Sequence, residues 1–248
     1  LQACFSVVDN KVGISASVTS RTDIGYNKEH QQVNFSIAHP QYPIRDPHSE
    51  LKIVVTQNNR RDNEATVTSP TYIGQNELVY EHNRDLIFEA GNEYRRFETV
   101  SVRYAGLGVE RIRYYDPFYH VTLFPARSRA DGNYTYDQTQ FGRFYIRRSD
   151  AEDSNLEADY FIVHFTLDYE NPFIEGGIYI NGELTDDRFD ESSKMIYNFD
   201  TRCYEKEMML KQGVYNYLYL FVPTGKTAGS TGLIEGNYYE TMNEYLIK

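Results

Sequence analysis

Apolar and polar residues alternate along most of the chain, and they do so over short runs. Val12, Ile14, Ala16 and Val18 alternate in VGISASVT, Val33, Phe35 and Ile37 in QVNFSIAH, and Leu51, Ile53 and Val55 in LKIVVTQ. The same period of two recurs in ELVYEH, RFETVSVRYA, VERIRYYD and FYHVTLF, and later in FGRFYIRR, ADYFIVHFTL, GGIYINGEL, KMIYNFD, CYEKEMMLK, VYNYLYLFV and NEYLIK. A side chain that changes face at every residue marks a half-buried strand. The separators are rich in Asn, Asp, Pro and Gly, as in HPQYPIRDP, QNNRRDNE, EAGNEY and AGLG, and FDTRCY reads as a hairpin turn with Asp200 at the bend. The pattern predicts an all-β protein of two consecutive Ig-like β-sandwich domains. The first runs over 12–125, a linker and first strand occupy 126–153, with the boundary near Pro125 to Asp131, and the second runs over 154–248. Residues 1–11 open directly on a strand-like run and are expected to be the remnant of an upstream β domain. NEYLIK stops in mid-strand, so the chain is expected to be a fragment of a larger protein at both ends.

Composition agrees with strands. The 248 residues include 23 Tyr and 14 Phe but no Trp, and flat rings suit a pleated, half-buried surface. The net charge of −11 argues against nucleic acid and anionic lipid as partners. No segment approaches the ~20 consecutive apolar residues that span a bilayer as a helix, and the chain does not open on a signal peptide. Cys4 and Cys203 are too few and too far apart for a disulfide framework or a clustered metal site. They are expected as small buried hydrophobes.

Chemistry-bearing motifs are sparse. The chain has no phosphate-binding glycine loop, no G-x-S-x-G, no H-E-x-x-H and no C-x-x-C. His120 and His164 sit inside apolar strands and are expected as core or edge histidines rather than functional ones. The loop ELTDDRFDESS carries Glu183, Asp186, Asp187, Asp190 and Glu191. It is expected as a solvated acidic loop, with calcium the alternative. No catalytic residue, metal ligand or cofactor is expected. An enzyme built on an unrecognised pair of carboxylates is a third possibility and would need a deep cleft with converging acids.

The densest aromatic pattern is LKQGVYNYLYLFVPTG, where Tyr215, Tyr217, Tyr219 and Phe221 share one face and Val214, Leu218, Leu220 and Val222 the other. A strand apolar on both sides is normally covered on both sides, so this one is expected to be central to the second sandwich. If its aromatic face were open, Tyr215, Tyr217 and Tyr219 would be the candidate ligand-binding residues of a carbohydrate-binding module.

GIYINGELTDDRF and MIYNFDTRCYEKEMMLKQGVYNYLYLFV resemble the Ig-like sandwich of early-set domains and glycogen-binding modules. More broadly, HQQVNFSIAHPQYPIRDP, AGNEYRRFETVSVRY, DPFYHVTLFP, NLEADYFIVHFTL, LKQGVYNYLYLFVP and LIEGNYYETMNEY are similar to a Bacteroidota family, long called a domain of unknown function, associated with the plug protein of the type IX secretion system. These motifs run from His30 to Tyr245. The resemblance implies a periplasmic, non-enzymatic protein, exported by a signal peptide outside this sequence. It would bind an outer-membrane translocon β-barrel without inserting in the membrane, and would carry a further N-terminal β domain. The absence of Trp, with Asp187 standing where sugar-binding relatives often have it, counts against the glycan alternative.

Overall fold

The computed structural model describes residues 11–248, and these form an all-β structure. Its strands are β1 (Gly13–Thr19), β2 (His30–Ala38), β3 (Ile53–Gln57), β4 (Ala65–Val67), β5 (Tyr72–Ile73), β6 (Glu77–Tyr80), β7 (Ile87–Glu89), β8 (Arg95–Glu98) and β9 (Val109–Tyr115). They continue with β10 (Phe118–Leu123), β11 (Ala126–Arg127), β12 (Phe144–Ile146), β13 (Tyr160–Asp168), β14 (Gly176–Asn181), β15 (Ile196–Asn198), β16 (Cys203–Lys211), β17 (Gly213–Pro223) and β18 (Tyr245–Ile247). The helical pieces are single turns. Cys4 and the expected upstream remnant lie outside the described residues, Lys11 excepted.

Two pairs of sheets pack around two hydrophobic clusters. In the first pair, β1-β2-β6-β5, with β7 also on β2, faces the three-stranded sheet β18-β3-β4. Val33, Phe35 and Ile37 of β2 meet Ile53 and Val55 of β3 there, with Leu78, Tyr80, Leu86 and Phe88, while Tyr245 and Ile247 of β18 close the side. In the second pair, β15-β16-β13-β10-β9 faces β12-β17-β14, with β8 also on β17. Phe161, Val163, Phe165 and Leu167 of β13 lie at its centre. β13 is antiparallel to β16 from Tyr160 to Asp168 but parallel to β10 from Phe161 to His164. Parallel neighbours need a long crossover, which the polar segment after β10 supplies.

The boundary expected near Pro125 to Asp131 does not coincide with a break in strand pairing. β8 pairs with β17 and β10 with β13, so strands assigned to the first sandwich belong with the second cluster. The change falls instead at Ala90–Tyr94. Conversely, β18, placed in the second domain, pairs antiparallel with β3 and packs on Phe88. Alternation along a strand shows that one face is buried but not which neighbour buries it.

The two clusters are joined through a polar seam. The chain leaves β7 through Ala90, Gly91 and Asn92 and is met by the segment 231–244 on its way back to β18. Asn243 Nδ2 donates to Ala90 O at 2.8 Å, Thr241 Oγ1 to Gly91 O at 2.8 Å, and Asn92 Nδ2 to Glu235 O at 2.7 Å. Gly91 N donates to Asn237 Oδ1 at 3.0 Å, and Gln31 Nε2 to the carbonyls of Tyr239 and Thr241 at 2.8 Å each. Gly91 has φ 65, a conformation that glycine adopts without steric cost. Arg60 adds a tie, forked onto Asp62 at 3.0 and 2.6 Å and donating to Gly229 O at 2.8 Å. Buried backbone groups of a non-repetitive segment must find partners, and here side chains provide them.

Candidate functional site

The tyrosine ladder is core. Tyr215, Tyr217 and Tyr219 are 2%, 6% and 1% exposed, so they offer no ligand platform. Tyr215 stacks on Phe97 at 5.0 Å, Tyr217 meets Phe165 edge-on at 5.4 Å, and Tyr217 meets Tyr219 at 5.3 Å. Phe97 comes from β8, a strand assigned by sequence to the other sandwich. Burial pushes all three phenols above their ordinary range. Leu218 and Leu220 on the reverse face pack with Tyr94 and the partly buried Phe189. Both faces of β17 are therefore covered, as its two-sided apolar pattern predicted.

Beneath this strand lies a buried charge centre. Glu235, with no exposed side chain, accepts from Arg95 Nε at 2.9 Å, Arg129 Nε at 2.7 Å and the Tyr219 backbone N–H at 2.8 Å. The Arg95 guanidinium also lies 5.2 Å from the Tyr219 ring centroid, within cation–π range. Burial pushes the Glu235 carboxyl up, but the two arginines outweigh it and hold it below the usual range. Every group is paired, so this centre fastens the return segment to β17.

The acidic loop uses most of its carboxylates locally. Glu183 Oε2 accepts from Phe144 N at 3.1 Å, Asp190 Oδ1 from Ser192 N at 2.8 Å, and Glu191 lies 3.6 Å from Lys194. Among the described residues no cluster of His, Cys, Asp and Glu is arranged to hold a metal ion. Asp187 differs from its neighbours. It lines a cleft of about 760 Å³ with Asp62, Lys194, Phe189 and Lys226, and burial pushes its carboxyl up to about 6 against the pull of Arg60. Cys203 is half-buried, and its Sγ donates to Asp168 Oδ1 at 3.3 Å.

The histidines expected as core or edge residues, His120 and His164, are brought together. His120 Nδ1 lies 2.8 Å from His164 Nε2, and His164 Nδ1 lies 3.2 Å from Glu207 Oε1. The contact follows from the parallel pairing of β10 and β13, which spacing along one strand could not show.

A different feature marks the first pair of sheets. β1 pairs with β2 so that Ile14, Ala16 and Val18 stand beside Ile37, Phe35 and Val33. The β2 residues are buried, yet Val12, Ile14 and Val18 are 36%, 47% and 48% exposed. The core face of the sheet thus extends past its covering layer as an open aliphatic row. Among the described residues β1 is also the end strand in the sheet order, and GISASVT holds neither the charge nor the proline that usually protects an edge.

No family model matches the chain, and no curated protein matches it. Among solved structures, a hypothetical protein from Parabacteroides merdae ATCC 43184 is similar, with 55% sequence identity and a TM-score of 0.95 over 99% of this chain. This chain spans 62% of the length of that one.

Proposed function

We propose that this chain is a non-enzymatic interaction protein on the periplasmic side of an outer-membrane type IX secretion translocon, as implied by the plug family it resembles. The observation that supports an interaction role is the aliphatic row of β1, which is exposed and at a sheet edge among the described residues. Exposed apolar surface continuous with a core is a site for another polypeptide. The partner class, a translocon β-barrel, and the periplasmic location come from the resemblance. The similar protein comes from a Bacteroidota, the phylum of that family.

The test is capture of the tagged full-length protein from native outer membranes in mild detergent. The expected result is co-purification of a translocon barrel, lost in the Ile14→Lys/Val18→Lys variant. Both side chains are exposed, so the variant should keep its urea midpoint. Failure of any outer-membrane barrel to co-purify overturns the proposal. So does amide-exchange protection, in the full-length protein alone, of those β1 amides that are not bonded to β2, because the edge is then covered from within.

A further inference from the structure

A second feature, independent of β1, lies on the outward face of the sheet built from β9, β10, β13 and β16. The register sets Arg111 opposite Thr122 and Arg113 opposite His120 on β9 and β10, with Thr122 beside His164 on β13 and Glu207 opposite His164 on β16. Arg111, Arg113, Tyr115, His120, Thr122, His164 and Thr166 line one cleft of about 330 Å³. The chain as a whole carries −11, but no carboxylate lines this cleft.

Among the described residues neither arginine of the cleft is neutralised by a carboxylate, and one histidine nitrogen is left open. Arg127 on the neighbouring β11 faces Asp168 at 3.6 Å, whereas among the described residues neither Arg111 nor Arg113 forms an ion pair with a carboxylate. Arg113 instead donates to the Tyr115 hydroxyl, which holds that phenol below its ordinary range. The histidines form a directional chain. His164 Nδ1–H donates to Glu207, so His164 Nε2 accepts from His120 Nδ1–H at 2.8 Å. That leaves His120 Nε2 without a hydrogen-bond partner among the described residues. The Tyr115 ring stands edge-on to His120 at 5.1 Å and bounds its other side.

We propose that this cleft is a binding site for a tetrahedral oxyanion, a sulfate or phosphate group, held by Arg111, Arg113 and His120 with the hydroxyls of Thr122 and Thr166. Guanidinium groups and neutral hydroxyls are donors suited to such oxygens. The site prefers His120 as a donor at Nε2, so anion binding takes up a proton on the histidine pair. The charged or titratable groups around that pair are Arg111, Arg113 and Tyr115 on β9 and Glu207 with Glu205 on β16. Desolvation lowers the His164 pKa, with Glu207 opposing and His120 and Arg111 adding to the lowering. A bound anion offsets the arginine charge and removes part of that lowering.

The probe is sulfate, whose charge is constant across the working range, titrated into the full chain at constant ionic strength against chloride. The readouts are calorimetry and the ring resonances of His120 and His164. Saturable binding is expected, tightening by up to about tenfold per pH unit as pH falls from about 7.5 to about 5.5, the limiting slope for uptake of one proton. Arg111→Gln/Arg113→Gln should abolish it with an unchanged urea midpoint, since both side chains are exposed. His120→Gln should leave weaker binding without the pH dependence. Inorganic phosphate and phenyl phosphate then distinguish the free ion from an ester, tighter binding of the ester assigning the site to a larger phosphorylated ligand. No saturable sulfate shift at either pH, or full binding by the double arginine variant, overturns the proposal. Neither result bears on capture of a translocon barrel.

Discussion

Glu235→Gln is expected to be among the most costly single substitutions in the molecule, although it changes no volume. The carboxylate is fully buried and neutralises two guanidinium groups, of which Arg95 is 14% and Arg129 31% exposed. Arg129 can turn toward water when the charge is lost. Arg95 is held in place, because it lies against Tyr219 and its guanidinium Nη2 donates to Arg127 O at 2.7 Å. Removing one member of a buried ion pair costs about 3–5 kcal/mol through the charge left behind. The amide can still accept from the Tyr219 N–H, so a value near the lower end, about 3 kcal/mol, is expected. The pH dependence gives a second constraint. The folded-state pKa of Glu235 lies below its unfolded value. Its contribution is therefore fully present above the ordinary Glu pKa of about 4.3 and is lost as pH falls through the folded value. Urea denaturation of both proteins at about pH 7.5 and about pH 3 measures this, the gap between them narrowing at acid pH. The Arg95→Met/Glu235→Met pair should recover part of the loss, since apolar replacement of a buried pair is often close to neutral. A cost below about 1 kcal/mol at neutral pH, or a gap unchanged by acid, would refute the claim that paired charge rather than shape holds this segment.

Two further outcomes follow from the core and the acidic loop. Tyr217→Ala opens a cavity between Phe97, Phe165 and Tyr219 and should cost about 3–5 kcal/mol, read as a fall of roughly 10 °C in calorimetric Tm; an unchanged Tm would contradict the burial of the ladder. Asp187→Asn should stabilise by about 1–2 kcal/mol at neutral pH, because a carboxyl raised to about 6 when folded destabilises above that pH and ceases to do so below its unfolded value. Asn tolerates the φ of 53 found there, and equal urea midpoints for the two proteins at about pH 7.5 would show that the carboxyl is not strained by burial.

Strand positions were legible in the sequence because period-two alternation is a local signal. Of the strands given by pattern, β2, β13, β16 and β17 are found nearly over their expected lengths. RFETVSVRYA yields strand only at its start, because after Glu98 the chain turns at Gly106 and Gly108, where the backbone passes against β8 too closely for a Cβ. What alternation cannot carry is the identity of the neighbour. β8 and β17, β18 and β3, and β10 and β13 are each separated by long stretches of chain, and only their pairing places Phe97 on Tyr215 or His120 on His164. The tyrosine ladder shows the same limit from the other side. Its two-sided apolar pattern pointed to a covered strand, but the choice between core and platform depended on β8, which the expected boundary had placed elsewhere.

The buried polar seam bears on the resemblance itself. HQQVNFSIAHPQYPIRDP contributes Gln31, AGNEYRRFETVSVRY contributes Gly91, Asn92 and Arg95, and LIEGNYYETMNEY contributes Glu235, Asn237, Thr241 and Asn243. These are the residues that hydrogen-bond across 140 to 212 positions of chain to join the two clusters. Such residues cannot be exchanged singly, because each would leave a buried donor or acceptor unpaired at about 1–3 kcal/mol. Alternating apolar positions, by contrast, accept many substitutions of similar size. Motifs made of such residues therefore specify how the sheets are joined. They constrain the surface only indirectly, by fixing where β1 and the sheet face around His120 lie. Substitutions in the seam should accordingly change stability, whereas Lys at Ile14 and Val18, or Gln at Arg111 and Arg113, should change binding alone.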